Sequence, residues 1–541
     1  MRNLFGGGLR GPGLAGVLLA LLAPGWLLAV GTEPLPKPAR IPGNESSVRY
    51  QQTLADGWRT QFSVSAEEYS GFVSERFKDA SWKRVAVPHN WQGYSYDRQN
   101  VHGSLHGSAW YRVRFRVGRH KHLERTLLMF EGVNAYATVW LNGEKVGTHA
   151  GGLTTFTLDV TQAVRFDRPN LLCVRADDPR HIHDLPWVSG DDSDIVGFAE
   201  GSQPLGVFRP VHVIQASALR VTPFGVNVWD SAQSPERAAL LHTSVELRND
   251  ETRVQTVSVR SDVLDAHGAV VSHTERNVSV TPGKQTVVEQ QLPAIVQPHL
   301  WSPEHPYLYR VHTSVLKGRI VVDDLFTDTG VRWITWPVDA RGNITPGPFL
   351  LNGKPFPIRG IAEYEHLLGG SHAFLPEEIA TRVHMVQAAG FNAFRDAHYP
   401  HNLRYSERWA SGGILWWPQF SAHIFFDNPS FRANFKALLA DWVRERRTNP
   451  AVILWGLQNE SVLPTEFARE CVELIRSLDP TASLERKVTT CNFGTGTDWN
   501  IPQNWSGTYG GDITRYAQEL EKEVLVGEYG RGVAWDFTLI R

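Results

Sequence analysis

The chain has 541 residues, 42% hydrophobic and 20% charged, enough for two to four domains with a proper core in each. Its 54 basic and 56 acidic side chains leave a formal net charge of -2, which excludes the electrostatic footprint of a nucleic-acid or anionic-membrane binder and suits a neutral substrate. Cys173, Cys471 and Cys491 lie far apart without CxxC spacing, so the sequence suggests neither a disulfide framework nor a metal site, and it indicates no cofactor. The aromatic load is heavy, with 19 Trp, 25 Phe and 14 Tyr. Such rings can stack on the apolar face of a pyranose, although most large aromatics pack cores.

Arg2 and Arg10 precede the apolar run LAGVLLALLAPGWLLAV at 14 to 30, and Ala29-Val30-Gly31 offers the small residues a signal peptidase reads. Residues 1-31 therefore read as a signal peptide, which predicts a protein secreted or exported to the periplasm, with no membrane attachment after its removal. An uncleaved anchor is the alternative, but the run is short and carries Pro24 and Gly25, which favours cleavage. No later segment is apolar for long enough to span a bilayer.

From about 50 to 330 the apolar period is two. YRVRFRV at 111 to 117 puts Tyr111, Val113, Phe115 and Val117 on one face and three arginines on the other, the pattern of a half-buried antiparallel strand. In ATVWLNGEKVGT, 137 to 148, Asn142-Gly143 supplies the positive φ angles of a tight hairpin turn. Many short strands with such turns predict sandwiches. One β region closes near VFRPVHVI at 207 to 214 and a smaller one runs to TDTGVRWITW at 327 to 336, so two consecutive β-sandwiches are expected.

After about 350 helices and strands alternate. Pro376 to Ala389 places Ile379, Val383 and Val386 on one helical face, Gly390 ends it, and FNAFRDAHYP follows as a strand with Arg395 and His398 toward its C-terminal end. Ser430 is expected to cap a helix that buries Phe431, Phe435, Leu438, Leu439 and Trp442 before the strand AVILWGLQNE. Thr465 would cap a third helix with Phe467, Cys471, Leu474 and Ile475 inward, and a helix at 512 to 522 precedes the strand VLVGEY. Strands near 355, 391, 413, 451, 487, 504 and 524 make seven, the beginnings of a (β/α)8 barrel whose active face is the C-terminal strand ends.

Glu460 and Glu528 each end an apolar β-rich run, so both would point into the barrel mouth. A single carboxylate there is ordinarily the partner of a neighbouring cation such as Arg395, because an unpaired buried charge is costly. A matched pair on separate strands has a further use. Glycoside hydrolysis needs one carboxyl to protonate the leaving oxygen and another, ionised, to attack or stabilise the anomeric carbon.

At these residues the chain resembles glycoside hydrolase family 2, the family of β-galactosidases, β-glucuronidases and β-mannosidases. The resemblance is carried by VPHNW at 87 to 91, SAWYRVRFRV at 108 to 117, VNAYATVWLNGEKVGTHAGG at 133 to 152, LGVFRPVHV at 205 to 213, LWSPEHPYLYRV at 300 to 311, FLLNGKPFPIRGI at 349 to 361, NAFRDAHYP at 392 to 400, WGLQNES and GEYG. It implies a multidomain fold: a jelly-roll, sugar-binding-like β-sandwich at 45-216, an immunoglobulin-like β-sandwich at 217-336 and a catalytic TIM barrel at 337-541. It implies a retaining exo-β-glycosidase acting on terminal β-linked sugars, a β-galactoside or β-glucuronide above others, by double displacement through a covalent glycosyl-enzyme. Glu460 resembles the family's general acid/base and Glu528 its nucleophile, with Asn459 on the sugar 2-hydroxyl and Arg395 and Tyr509 keeping the nucleophile ionised. His398 lines the sugar site or orients Arg395. Glu365 and His366, with Tyr364, sit where the family often has a His-Glu-Asp-like trio and are assigned to the substrate site on that basis. Trp416 or Trp417 could stack on a sugar, the other facing the helix layer. Family habit implies a homo-oligomer.

Only 13 residues follow Glu528, whereas a complete barrel would add an eighth strand and flanking helices, so the barrel is expected to be truncated after its seventh strand. A catalytically inactive carbohydrate-binding or scaffold protein is the alternative that this departure raises.

Overall fold

The computed structural model describes residues 41–63, 70–91, 105–187, 204–231, 237–366, 370–504 and 524–529. The expected signal peptide, Tyr509 and the expected helix at 512 to 522 lie outside the described residues. Among the described residues no helix is long and apolar enough to cross a membrane.

The N-terminal region is a sandwich of two antiparallel sheets. Six strands, in the order Lys83–Val85, Trp58–Ser63, Gly107–Arg116, Pro169–Asp178, Ala135–Leu141 and Glu144–Gly151, face four, in the order Tyr50–Thr53, Val211–Ala216, Arg125–Phe130 and Phe156–Asp159. Strand alternation brings Tyr111, Val113 and Phe115 into the shared core with Leu128, Phe130 and Val213, as the period-two reading requires. Asn142 (φ 55°) and Gly143 (φ 87°) form the hairpin turn. Arg112 departs from the expected wet face. Its guanidinium lies over Phe77 at 5.2 Å and donates to Asp79 Oδ2 at 2.9 Å, because residues 70–82 fold across the outer side of the sheet.

The second sandwich packs Leu219–Asp230, Leu241–Asn249 and Gln285–Gln291 against the sheet Val270–Val280, Gln255–Leu264, Tyr309–Lys317 and Ile320–Thr329. Its core is almost wholly aliphatic, with Val245, Leu247, Val259 and Val311 at the centre.

The C-terminal region is a parallel α/β arrangement. The strands Gly360–Tyr364, Ala393–Ala397 and Leu415–Trp417 pair in parallel; Gln419–Ala422, Leu454–Asn459, Lys487–Cys491 and Trp499–Ile501 continue in parallel; Gln503–Asn504 pairs in parallel with Glu528–Tyr529. Helices Pro376–Ala388, Leu403–Gly412, Pro429–Arg444 and Thr465–Leu478 connect them. Two expected strands are split, at Pro418 and at Pro502, where a residue without an N–H cannot extend the ladder. The first parallel strand begins later than the sequence suggests. Asn352 (φ 53°) and Gly353 (φ 74°) turn FLLNGKPF into a hairpin, which takes Lys354–Pro355 out of the barrel sheet.

The helices bury the predicted faces, including Ile379, Val383 and Val386 in the first and Phe431, Phe435, Leu438, Leu439 and Trp442 in the third. Their N-termini differ from expectation. Asn428, not Ser430, caps the third helix by accepting from Phe431 N, because Pro429 takes the first helical position that its fixed φ suits. At the fourth, Pro464 takes the N-cap position itself, so Thr465 becomes the first helical residue and no side chain caps that end.

The sandwiches brace the barrel. Arg209, 1% exposed, donates from Nη2 to Glu365 Oε2 at 3.0 Å and to the Pro400 carbonyl at 2.7 Å; Glu365 Oε1 accepts the Asn402 N–H at 2.7 Å. Trp187 Nε1 donates to the Phe420 carbonyl at 2.7 Å, and Trp301 and Trp336 enter the same apolar cluster as the barrel helices. Burial pushes the Glu365 carboxyl up and Arg209 opposes it. Arg209→Met therefore leaves a desolvated acid without its cation, and the fold should lose about 3–5 kcal/mol in denaturant titrations near neutral pH. A carboxyl whose folded pKa lies above its unfolded value destabilises the fold as pH rises through it, so the loss should be smaller at about pH 5 than at about pH 8.

Candidate active site

Arg395, from the strand Ala393–Ala397, points into the barrel mouth and is 4% exposed. Its Nη1 donates to Glu528 Oε1 at 2.5 Å and to the Gly527 carbonyl at 3.0 Å, its Nη2 donates to Asn459 Oδ1 at 2.7 Å, and its face lies over the Trp417 ring at 4.6 Å. Trp416 faces the other way and donates from Nε1 to Asp396 Oδ1 at 2.8 Å beneath the helix layer. Desolvation works against the guanidinium, but the acidic groups around it raise its pKa above the ordinary arginine value, so it is charged.

Asn459 ends the strand Leu454–Asn459 with no exposure. Its Oδ1 accepts from both Arg395 and Gln503 Nε2, the latter at 3.0 Å, which fixes the amide orientation. The buried Nδ2 has no partner among the described residues, so it is a donor with a hydrogen bond still to make.

Glu460 follows. Asn492 Nδ2 donates to its Oε1 at 2.9 Å and His423 Nε2 lies 3.3 Å from its Oε2. Burial raises this carboxyl, but the contacts with His423 and Asn492 outweigh it and the pKa is lowered. Glu528 sits deeper, its side chain 12% exposed against 28% for Glu460. Burial pushes the Glu528 carboxyl above its ordinary value; Arg395 pulls it down and the charge of Glu460 pushes it up again. The charge of Glu460 thus bears on the protonation of Glu528.

His398 lies between them. Its Nδ1 is 3.1 Å from Gln419 Oε1, its Nε2 3.3 Å from Glu528 Oε1, and its ring meets Tyr364 edge-on at 5.3 Å. Burial and the adjacent Arg395 hold it well below the usual imidazole value, so it is neutral. His366 stacks on Tyr364 at 5.5 Å, one ring removed from His398. The structure therefore brings Glu460, Glu528, Asn459, Arg395 and His398 to one pocket, places His366 behind its wall, and commits both oxygens of Glu365 to Arg209 and Asn402. Tyr509 lies outside the described residues.

Sequence reasoning missed His423, Gln419, Asn492 and Gln503. All four lie in, or one residue beyond, the barrel strands. The signal available was a polar side chain at each strand end, obscured by uncertainty in where the strands stop. Among the described residues no group of three or more His, Cys, Asp or Glu side chains could hold a metal ion.

Three family models match successive parts of the chain: glycosyl hydrolase 2 galactose-binding domain-like at 94–184, glycosyl hydrolases family 2 at 228–332, and glycosyl hydrolases family 2, TIM barrel domain, at 343–492. A beta-glucuronidase of Bacteroides fragilis is 26% identical over 486 residues, covering 84% of this chain and 66% of the relative. A beta-galactosidase of Bacteroides ovatus is 27% identical over 77% of this chain and 47% of its own length. Among solved structures, beta-glucuronidase 2 of Bacteroides uniformis, covalently bound to cyclophellitol-6-carboxylate aziridine, superposes with a TM-score of 0.75 at 24% identity, over 89% of this chain and 59% of that one. The chain thus spans less than two thirds of these relatives' lengths.

A Cβ on Gly527 would lie 2.4 Å from Cys491 Sγ and 3.4 Å from the Trp417 ring. Gly527→Ala should therefore destabilise the protein by roughly 1–3 kcal/mol in thermal or denaturant unfolding, and Cys491→Ala in the same chain should recover most of that loss.

Proposed function

The chain belongs to glycoside hydrolase family 2, and we propose that it is a retaining exo-β-glycosidase that releases terminal β-linked sugars, with β-glucuronides or β-galactosides as its substrate class. The observation that carries this reading is the convergence of Glu460 and Glu528, from separate parallel strands, on a pocket whose remaining walls are Arg395, Asn459 and His398.

In the first half-reaction Glu528 attacks the anomeric carbon as Glu460 protonates the departing glycosidic oxygen, and a glycosyl ester forms on Glu528. In the second, Glu460 takes a proton from water, the water oxygen attacks the anomeric carbon, and the ester bond breaks to return Glu528 as a carboxylate. Asn459 Nδ2 donates to the 2-hydroxyl, a contact that strengthens as charge develops on the ring. Arg395 holds Glu528 in place and favours its ionised form. The proposal extends to the first 31 residues as the signal that directs secretion or periplasmic export, and to a homo-oligomeric assembly.

A panel of p-nitrophenyl β-glycosides tests the activity. Glu528→Gln should reduce turnover of the accepted substrate by at least about a thousandfold. Glu460→Ala should cost about 10²–10⁴-fold on that substrate and less on one with a more acidic leaving group, which needs no proton. Proton NMR of the first-formed sugar should show the β anomer; the α anomer first would mean direct displacement by water and would end the nucleophile assignment. Undiminished turnover in Glu528→Gln would remove the nucleophile assignment, whereas absence of hydrolysis by the unsubstituted protein across the whole panel would leave a carbohydrate-binding protein.

The pH profile gives a separate check. Turnover requires Glu528 ionised and Glu460 protonated; a bound sugar desolvates Glu460 and raises its pKa, so kcat, which reports the complex, should fall on the acid side as Glu528 gains a proton and on the basic side as Glu460 loses one. Arg395 lowers the Glu528 pKa. Its replacement by Gln raises that pKa, and the acid limb should move to higher pH.

A further inference from the structure

Three barrel strands that pair side by side stop in register: Ala422 lies beside Asn459, and Asn459 beside Cys491. The next residue on each strand is His423 (φ 57°), Glu460 (φ 43°) or Asn492 (φ 69°), all in the left-handed region and none of them glycine. The ladder runs one step further through their backbones, since His423 N donates to the Asn459 carbonyl at 3.0 Å, Glu460 N to that of Cys491 at 2.9 Å, and Asn492 N to that of Ile501 at 3.0 Å. The left-handed step has a geometric consequence. Along a continuing strand, residue 460 would face opposite to Asn459, into the helix layer; the reversal returns Glu460 to the pocket side. The same reversal on the strands to either side delivers an imidazole and an amide to its two oxygens, at 3.3 Å and 2.9 Å.

We propose that His423 and Asn492 are positioning residues for Glu460, which hold its carboxyl between them and favour its ionised form. The inference rests on the reading of Glu460 as the acid/base. An amide nitrogen can only donate and the amide does not titrate, so Asn492 Nδ2 stabilises negative charge on Oε1 at every pH of the titration. That leaves Oε2, opposite His423 Nε2, as the oxygen whose proton load the imidazole governs. Holding Glu460 as an anion prepares it for the second half-reaction, in which it must accept a proton from water. The titratable and charged groups that face it are His423 and His398, with Arg395, Glu528 and Cys491 one shell beyond. Of these, His423 alone makes a side-chain contact with a Glu460 oxygen among the described residues.

The test follows Glu460 itself. The full chain is made with carboxyl-¹³C glutamate, the Glu460 resonance is identified by its loss in Glu460→Gln, and its titration is compared in the unsubstituted protein, in His423→Phe and in Asn492→Gly, which removes the amide but keeps a left-handed backbone. The Glu460 midpoint should move to higher pH in both variants, and His423→Gln, which restores a donor, should bring it part of the way back. Where a glycoside is turned over, the basic limb of kcat should move in the same direction in the same variants, whereas mere loss of local structure lowers the plateau without moving the limb. An unmoved or lowered midpoint in His423→Phe, or in Asn492→Gly if the first does not fold, overturns the proposal. Absence of hydrolysis by the unsubstituted protein would defeat the glycosidase reading, and the NMR midpoint would still decide the positioning role.

Discussion

The guanidinium of Arg395 is the constraint around which the pocket is built. A charge with almost no access to water must be matched, and here both terminal nitrogens are: a carboxylate and a carbonyl on Nη1, an amide oxygen on Nη2 and an indole beneath the face, with Nε alone lacking a hydrogen-bond partner among the described residues. Each match fixes something the site needs. The Glu528 carboxylate is held where its strand ends. The Asn459 amide cannot turn over, because two donors already address its oxygen, so its nitrogen is the end left without a partner among the described residues. Gly527 follows from the same geometry: its carbonyl must approach Arg395 closely, with Cys491 and Trp417 filling the space where a side chain would begin.

A pocket of this kind keeps its shape only if the strand ends around it stay still, and much of that rigidity comes from outside the barrel. Arg209 of the first sandwich ties down the stretch after the strand Ala393–Ala397 through Pro400 and, by way of Glu365, through Asn402. Trp187 reaches the backbone of Phe420 in the strand that leads to His423. From the second sandwich and the segment after it, Trp301 and Trp336 donate to the carbonyls of Ala410 and Ile453 at 2.8 and 3.3 Å. The β-sandwiches therefore act on the site mechanically, by fixing the loop after one barrel strand together with strand and helix backbone elsewhere in the barrel, and their long-range contacts make the site a property of the whole assembly.

What the sequence made legible was whatever depends on short-range periodicity. Alternation in YRVRFRV placed Tyr111, Val113 and Phe115 in a core, and the spacing of Phe431, Phe435, Leu438, Leu439 and Trp442 placed a helix face. Asn142-Gly143 announced its turn. The same dipeptide at Asn352-Gly353 was equally informative and went unread, which is why the first barrel strand was expected before its real start at Gly360. Arg112 and Glu365 mark a different limit. Both looked like groups available to solvent or substrate, and both are satisfied by segments remote in sequence, which no local pattern can reveal. The site divided along the same line: Arg395, Asn459, Glu460 and Glu528 stand in recognisable strand-end motifs, whereas His423 and Asn492 matter through a backbone reversal that their side-chain types alone do not announce.

The two carboxyls are made unequal by backbone geometry more than by their neighbours' charges. Glu528 lies in a strand, against Arg395, and has little water left to lose. Glu460 stands one left-handed step beyond its strand and keeps more than twice the exposure, so a sugar entering the mouth removes water from Glu460 chiefly. Desolvation penalises the ionised form of a carboxyl. On the proposed reaction, substrate entry thus pushes Glu460 upward, toward the proton it would donate, and leaves Glu528 paired with its cation. On that reaction, once the leaving group departs and water returns to that side of the pocket, the contacts of His423 and Asn492 again favour the anion. On the proposed reaction the same carboxyl serves as acid and then as base because its hydration, and not its hydrogen-bond partners, changes between the two steps.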